Sequence, residues 1–247
     1  MKEERYSAIM KILETDGFAS VECLSKKLYV SMPTIRRDLT VMQEIGLIQR
    51  SHGGAVSKNS RNGSPLPFRM GVNTEAKRRM CARAADLLRD NCMIFMDESS
   101  TTAGIINYIH NYKNICIVTN SMAVLQRAYS ERIPAYCIGG ELAYETMSFL
   151  GSAAEEAVMR YGIDIMFFSS SGISRNSRIV DYFEPANSLR RAAAKCAETR
   201  VFLCDKTKFG KNQPYTLMSL ADADWIITDE PLPDYMDTGN AVTVAAK

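Results

Sequence analysis

Apolar residues recur at helical spacing in three short runs before residue 45. In the first, Tyr6, Ile9, Met10 and Leu13 form a stripe along a helix over Glu3 to Leu13. Gly17 breaks it. Ser20 then opens a second helix, with Val21, Leu24 and Leu28 turned inward, and Tyr29-Val30 connect to a third. There Ser31 is placed to cap, Pro33 falls in the first turn, and Ile35, Leu39 and Met42 lie at i, i+4 and i+7. After Gly46, Leu47 to Val56 read as a hairpin that carries Arg50 and His52 at a glycine turn. Helix, short turn, helix and hairpin together predict a winged helix-turn-helix.

The polar side of the third helix gives that motif a partner. A rotation of about 100° per residue sets Pro33, Arg37, Thr40 and Glu44 opposite the apolar stripe, with Thr34 and Arg36 on its flanks. Hydroxyls and N–H groups near a helix start meet phosphate, and an arginine pairs with guanine O6 and N7 in the major groove. The candidate DNA-binding residues are Ser31, Pro33, Thr34, Arg36, Arg37 and Thr40, with Arg50 and His52 on the wing. Read alone, the same helix is also a solvated one with two surface arginines.

From Asn73 the period changes. Helices are expected over Asn73 to Asp90, Thr101 to Tyr112, Ser121 to Glu131, Ser152 to Tyr161 and Pro185 to Thr199. They alternate with apolar runs at Met93–Asp97, Ile115–Thr119, Ile133–Ile138, Ile165–Phe168, Val201–Cys204 and Trp225–Thr228. Continuous apolar strands between helices indicate a mainly parallel sheet covered on both faces. The intervening segment, polar and then interrupted by Pro65 and Pro67, reads as a linker without a stable element. The expected organisation is therefore a DNA-binding domain at 1–57, a linker at 58–70 and an α/β domain at 71–247.

Ligands in open α/β sheets bind at the carboxyl ends of the strands, and polar residues gather there. Asp97, Glu98, Ser99, Ser100, Thr101 and Thr102 follow one strand, and Thr119-Asn120-Ser121 follow the next. Gly139-Gly140, Gly172 and Asp205 to Lys208 close three more. Hydroxyls and free N–H groups at such ends hold phosphate or sugar oxygens. Ordinary helix capping and glycine turns explain each end singly; the repetition favours a ligand.

The chain has 247 residues and a net charge of +2. With one DNA-reading module, about 180 residues remain for a second core. No global basic field exists to hold nucleic acid, and nine basic against seven acidic side chains in the first sixty residues leave only a small local excess. Placement of the arginines, and pairing of subunits as a homodimer or homotetramer, would have to supply affinity. The seven cysteines include no Cys-x-x-Cys pair, and Cys92, Cys116, Cys137 and Cys204 read as small buried hydrophobes. His52 and His110 lie far apart, so neither a metal nor a cofactor is expected. There is no signal peptide and no apolar run of about 18 residues, which points to the cytoplasm and away from a membrane.

Two stretches, VSMPTIRRDL and GLIQRSHGGA, resemble the DNA-binding signature of the DeoR family of bacterial transcriptional regulators. The resemblance continues downstream. In that family an Asp-x-Gly-Ser-Thr-Thr loop, a Thr-Asn-Ser loop, a Gly-Gly pair and a late Asp-x-x-Lys line an effector pocket. They match Asp97 with Ser100-Thr101-Thr102, Thr119-Asn120-Ser121, Gly139-Gly140, and Asp205 with Lys208. This chain departs from the pattern at Ser99, where the family usually has Gly. It departs again near Pro185–Arg190, where the customary Glu is missing and Arg190 replaces a frequent Lys.

The resemblance implies a sensor fold related to ribose-5-phosphate isomerase and an effector that is a phosphorylated sugar or polyol. The matched motifs, with Ser99 and Gly172 added from the reading of the strand ends, give the candidate effector-binding residues Asp97, Ser99, Ser100, Thr101, Thr102, Thr119, Asn120, Ser121, Gly139, Gly140, Gly172 and Lys208. The expected function is repression of a carbohydrate operon through operator DNA, with no catalytic residues. The alternatives are a sugar-phosphate isomerase with a DNA-binding appendage, and an architectural DNA-binding protein without ligand.

Overall fold

A computed structural model describes residues 2–51, 53–57 and 66–246. Two compact units divide the chain, Met1–Val72 and Asn73–Lys247.

In the first unit, helices α1 (Lys2–Asp16), α2 (Val21–Leu28) and α3 (Met32–Glu44) pack around Ile9, Leu13, Leu24, Ile35, Leu39 and Met42, all buried. Ser20 caps α2 by accepting from Cys23 N at 3.0 Å, and Ser31 caps α3 by accepting from Thr34 N at 3.4 Å. Strand β1 (Phe18–Ser20) joins the wing strands β2 (Ile48–Ser51) and β3 (Gly54–Ser57) in an antiparallel sheet of order β1-β3-β2. The pairing Ser51↔Gly54 closes the wing hairpin; His52 lies outside the described residues.

The segment expected as a linker is only partly so described. Residues 58–65 lie outside the described residues, but Leu66–Met70 form a short helix, α4, with Leu66 and Phe68 buried. The Phe68 ring meets Phe18 edge-on, centroids 6.3 Å apart. Pro67 does not prevent this helix, because an imino nitrogen in the first turn forfeits no intrahelical bond. An apolar anchor thus overrides the expectation of a segment without structure.

In the second unit, α5 (Thr74–Ala85) leads to β4 (Met93–Met96), β5 (Cys116–Thr119), α6 (Met122–Ser130) and β6 (Ala135–Cys137). A hairpin, β7 (Glu141–Ala143) and β8 (Ser148–Leu150), precedes α7 (Ser152–Val158) and β9 (Ile163–Phe168). Two short strands, β10 (Gly172–Ile173) and β11 (Arg178–Asp181), precede α8 (Glu184–Cys196). The chain finishes with β12 (Ala197–Cys204), β13 (Tyr215–Ser219), β14 (Trp225–Thr228) and β15 (Val242–Ala245). Seven strands form one all-parallel sheet of order β15-β14-β12-β9-β4-β5-β6.

Alternate residues of each strand serve two cores. Ile94, Met96, Ile117, Phe167 and Leu203 face α5 and α6, while Phe95, Val118, Phe168, Phe202 and Ile226 face α7 and α8. Strands β10, β11 and β13 make a separate antiparallel sheet that the apolar pattern does not foretell. The segment expected as an α-helix from Thr101 is a 3₁₀ helix, Thr102–Asn111. Buried Ala103, Ile106 and Ile109 fall every third residue, the period of that tighter turn. Gly104 is needed within it, since a Cβ there would lie 2.9 Å from Cys81 Sγ on α5.

Candidate functional site

On the first unit, Ser31, Pro33, Arg36, Arg37 and Thr40 are exposed on one side of α3, and Thr34 is half-buried. Arg50 is not spread into solvent: its Nη1 donates to Thr40 Oγ1 at 2.7 Å and towards Arg36 O at 3.5 Å, so wing and helix share one polar surface. Asp38, in the same helix, turns inward. Arg5 on α1 grips it through Nε at 2.5 Å and Nη2 at 3.0 Å, which keeps an acid off the exposed face.

On the second unit, the order of the parallel sheet reverses direction between β4 and β9: β5 and β6 extend to one side, β12, β14 and β15 to the other. The crevice at such a reversal is where open α/β sheets take ligands. Asp97-Glu98 follow β4 at this point, and Ser169-Ser170 follow β9.

Ser169 N links the two by donating to Asp97 Oδ2, and Arg190 on α8 ties Asp97-Glu98 to Asp181 on β11. The arginine is buried, and its Nε donates to Asp97 Oδ2 at 2.9 Å, its Nη1 to Asp181 Oδ2 at 3.1 Å and its Nη2 to Glu98 Oε1. Burial alone would weaken the charge on this guanidinium; the three carboxylates outweigh that and push its pKa up. Burial also raises Glu98 above the ordinary carboxylate range, with Asp97 adding to the shift and Arg190 opposing it.

Each expected ligand residue has a distinct position around this hub. Asp97 Oδ1 accepts from Ser99 N at 3.1 Å and Thr102 Oγ1 at 2.8 Å, while its Oδ2 accepts from Ser169 N at 3.1 Å. Ser99 Oγ accepts from Thr102 N at 3.1 Å. These three side chains brace their own loop. Thr119 and Ser121 do likewise: Thr119 Oγ1 donates to Met96 O at 2.6 Å, and Ser121 Oγ caps α6 through Val124 N at 3.3 Å. Gly139 and Gly140 both take positive φ, and a Cβ on Gly140 would lie 2.5 Å from Leu150 O, so that close approach is to the protein's own backbone. Gly172 similarly backs on the loop at Lys208 and Lys211, with a Cβ 2.6 Å from Lys211 Cβ.

The remaining groups are differently placed. Lys208 Nζ donates to Ser169 Oγ at 3.1 Å and Ser170 O at 2.8 Å, and Lys77 Nζ on α5 reaches Ser100 Oγ at 3.0 Å. Asn120 Nδ2 donates to Glu98 Oε2 at 2.9 Å, leaving its Oδ1 unpaired. Thr101 Oγ1 and Asn187 Nδ2 are also buried without a hydrogen-bond partner among the described residues. Asn120 and Asn187 are 0% exposed and Thr101 1%. A buried polar atom left unpaired costs roughly 1–3 kcal/mol, so three around one crevice mark a place completed by something else.

The sequence-based set lacks Lys77, Glu98, Asp181, Asn187 and Arg190. For the three on helices, Lys77, Asn187 and Arg190, the signal is a polar residue on an apolar helical face: Lys77 lies three residues before buried Met80, and Arg190 four after buried Ala186. The hairpin β7–β8 lies against the same loops, with Phe149 N donating to Asn120 O and Met122 N to Met147 O, both at 2.9 Å.

The comparisons with known proteins agree with this division. Residues 5–61 match the family model of the DeoR-like helix-turn-helix domain, and residues 72–230 that of the DeoR C terminal sensor domain. The L-fucose operon activator of Haemophilus influenzae is 33% identical over 93% of both chains. The glycerol-3-phosphate regulon repressor of Escherichia coli is 28% identical over 93% of this chain and 92% of that one. Among solved structures, ribose 5-phosphate isomerase A of Methanocaldococcus jannaschii aligns over 56% of this chain and 55% of that one, at 16% identity and a TM-score of 0.42. With a DNA-reading motif matched over residues 5–61 and a sensor domain over 72–230, the chain belongs to the DeoR family of transcriptional regulators.

Proposed function

We propose that this chain represses a carbohydrate operon and that a phosphorylated sugar or polyol, bound at the sheet's reversal point, alters its hold on operator DNA. Ser31, Pro33, Thr34, Arg36, Arg37 and Thr40 present α3 to the major groove, with Arg50 carrying the wing against the backbone. An even-numbered homo-oligomer supplies the paired readers that half-sites require. The two relatives named above are an activator and a repressor by name, so the sign is a property to measure on this chain.

The observation that carries the ligand reading is the set of unpaired buried atoms on Thr101, Asn120 and Asn187, together with the ammonium groups that Lys77 sets on Ser100 and Lys208 on Ser169. A sugar supplies hydroxyls to the former, and a phosphate the charge for the latter. Asp97, Ser99, Thr102, Thr119 and Ser121 hold the loops in position, and Ser100 joins Lys77. Catalysis of isomerisation would need a positioned base with access to substrate; Asp97 and Glu98 are instead occupied by Arg190 and by their own loop, which supports a sensor without enzymatic activity.

Replacing Lys208 by Met keeps the stem and removes the charge. Calorimetry should then show a far larger loss for a phosphorylated ligand than for its dephosphorylated form, with operator binding unchanged when no ligand is present. Equal losses for both forms would move the phosphate away from Lys208. An operator titration with and without the ligand gives the sign.

A further inference from the structure

Arg50 is held at both ends before any DNA arrives. Its backbone lies in β2 opposite Ala55, and Ile48 and Ala55 of the wing are buried in the reader's core. Its guanidinium lies against α3, where Nη1 donates to Thr40 Oγ1 at 2.7 Å. Thr40 is fixed in turn by donating to Arg36 O, one turn back, at 2.9 Å, a bond that selects the rotamer of its branched side chain. The bonds run from the wing through one hydroxyl into the helix backbone.

A threonine hydroxyl has one proton and two lone pairs. The proton of Thr40 goes to Arg36 O and one lone pair takes the Arg50 hydrogen, so nothing is left to donate to a phosphate oxygen, which only accepts. Contact with phosphate would break the bond that orients the hydroxyl. Its place on the exposed side of α3 suggests a DNA contact; its hydrogen bonds assign it to the wing. Arg50 is the reverse case. Nη1 is engaged by Thr40 and Arg36 O, while Nε and Nη2 donate to nothing among the described residues. These two nitrogens form the side-on fork of a guanidinium, the same pair with which Arg5 grips Asp38. A fork of that shape fits two oxygens of one phosphate.

Resting on the reading of α3 and the wing as the DNA-binding surface, we propose that Thr40 is a positioning residue. It holds Arg50 with the Nε–Nη2 fork free, and that fork takes one operator phosphate beside the groove that α3 enters. Thr40 itself touches no DNA. A long side chain free in solvent loses its rotamer freedom on binding; here that ordering precedes the encounter.

A double-mutant cycle on the full chain tests this, with a duplex that wild type selects from a random pool and an unselected duplex of equal length. Arg50→Met should weaken both duplexes alike and lower the salt slope by roughly one. Thr40→Val keeps the shape of the side chain and removes the hydroxyl. It should weaken binding roughly 2- to 10-fold, the scale of ordering one long side chain, and Thr40→Ser should restore wild-type affinity. In the Arg50→Met background, Thr40→Val should add nothing. Thr40 is exposed and Arg50 half-buried, and far-UV melts check that each variant folds. An equal loss from Thr40→Val in both backgrounds makes Thr40 a DNA contact in its own right and overturns the inference, as does wild-type binding by Thr40→Val. A loss in Arg50→Met confined to the selected duplex puts the fork on a base and overturns it too. Wild-type binding of both duplexes by Arg50→Met means that the wing arginine does not meet DNA, which overturns the reading of the wing itself.

Discussion

The two units keep their working side chains in opposite conditions. On the reader, Arg36 and Arg37 are exposed, and the buried acid of the same helix, Asp38, has both oxygens filled by Arg5. On the sensor, Asp97, Glu98, Thr101, Asn120, Asn187 and Arg190 are all buried, and three of them, Thr101, Asn120 and Asn187, keep a polar atom without a partner among the described residues. A large ligand such as DNA is met at the surface, so its contacts need no part in the core. A small one must be enclosed, so the groups that recognise it are also groups on which the fold depends. Substitutions should therefore separate affinity from stability on the reader and fail to separate them on the sensor.

The sharpest test is Arg190→Met. It strands three buried carboxylates, and breaking a buried ion pair by removing one partner costs about 3–5 kcal/mol. Urea unfolding followed by Trp225, which lies in the sensor, should show that loss, and Arg190→Lys a smaller one, because a point charge cannot serve three acids in a fork. Unchanged stability in the Met variant would mean that the cluster does not hold the sensor together.

Next is Phe68→Ala, expected to cost the reader about 3 kcal/mol through the cavity left beside Phe18. Far-UV circular dichroism of the full chain should show the helical reader melting earlier while the Trp225 transition stays in place. A shift in Trp225 alone would assign α4 to the sensor.

Arg37→Ala should leave both transitions where they are and weaken operator binding by about 1–3 kcal/mol, the range for one bidentate base contact. If a footprint titration finds wild-type affinity, α3 presents another face to DNA. Smallest is Tyr29→Gly. Tyr29 is 96% exposed and holds φ at 55°, a left-handed conformation that disfavours a side chain. Relief of that strain, offset by the greater freedom of Gly when unfolded, should raise reader stability by at most about 1 kcal/mol. A lower melting temperature would show that the ring makes a contact worth more than the strain.

These contrasts also explain what could be read from the sequence. α3 is legible because cap, proline and apolar stripe all lie within a dozen residues, and the strands β4, β5, β9, β12 and β14 because each contains a continuous apolar run; the first residues of β12, Ala197-Glu198-Thr199, read instead as the end of a helix. The loops after β4 and β5 could be picked out by composition, but their division of labour could not: whether Ser99 or Thr102 faces a ligand or braces Asp97 depends on distances that spacing does not encode. Arg190 reaches Asp97 and Glu98 across more than ninety positions, and Arg5 reaches Asp38 across 33. α4 is hidden by Pro67 and the proline two residues before it, and the helix after Thr101 is legible as a helix but not as a 3₁₀ helix. The weakest elements to foresee, β7–β8 and the β10-β11-β13 sheet, are strands of two to five residues whose pairing comes from outside their own segments.

The order of the parallel sheet also bears on how this protein is made. Synthesis yields β4, β5 and β6 first, and these can pair at once through Ile94↔Ile117 and Ile117↔Ala135. The other side of β4 pairs with β9, in register Ile94↔Ile165, and that strand emerges from the ribosome only after the hairpin and α7. During that interval Met93-Ile94-Phe95-Met96 presents an uncovered apolar edge, the kind of edge that recruits other chains. The reader, complete by Val72, can already have folded. Slow, non-local closure of β4 on β9 is then the step at which nascent chains are most exposed to aggregation, and the step at which a chaperone would act.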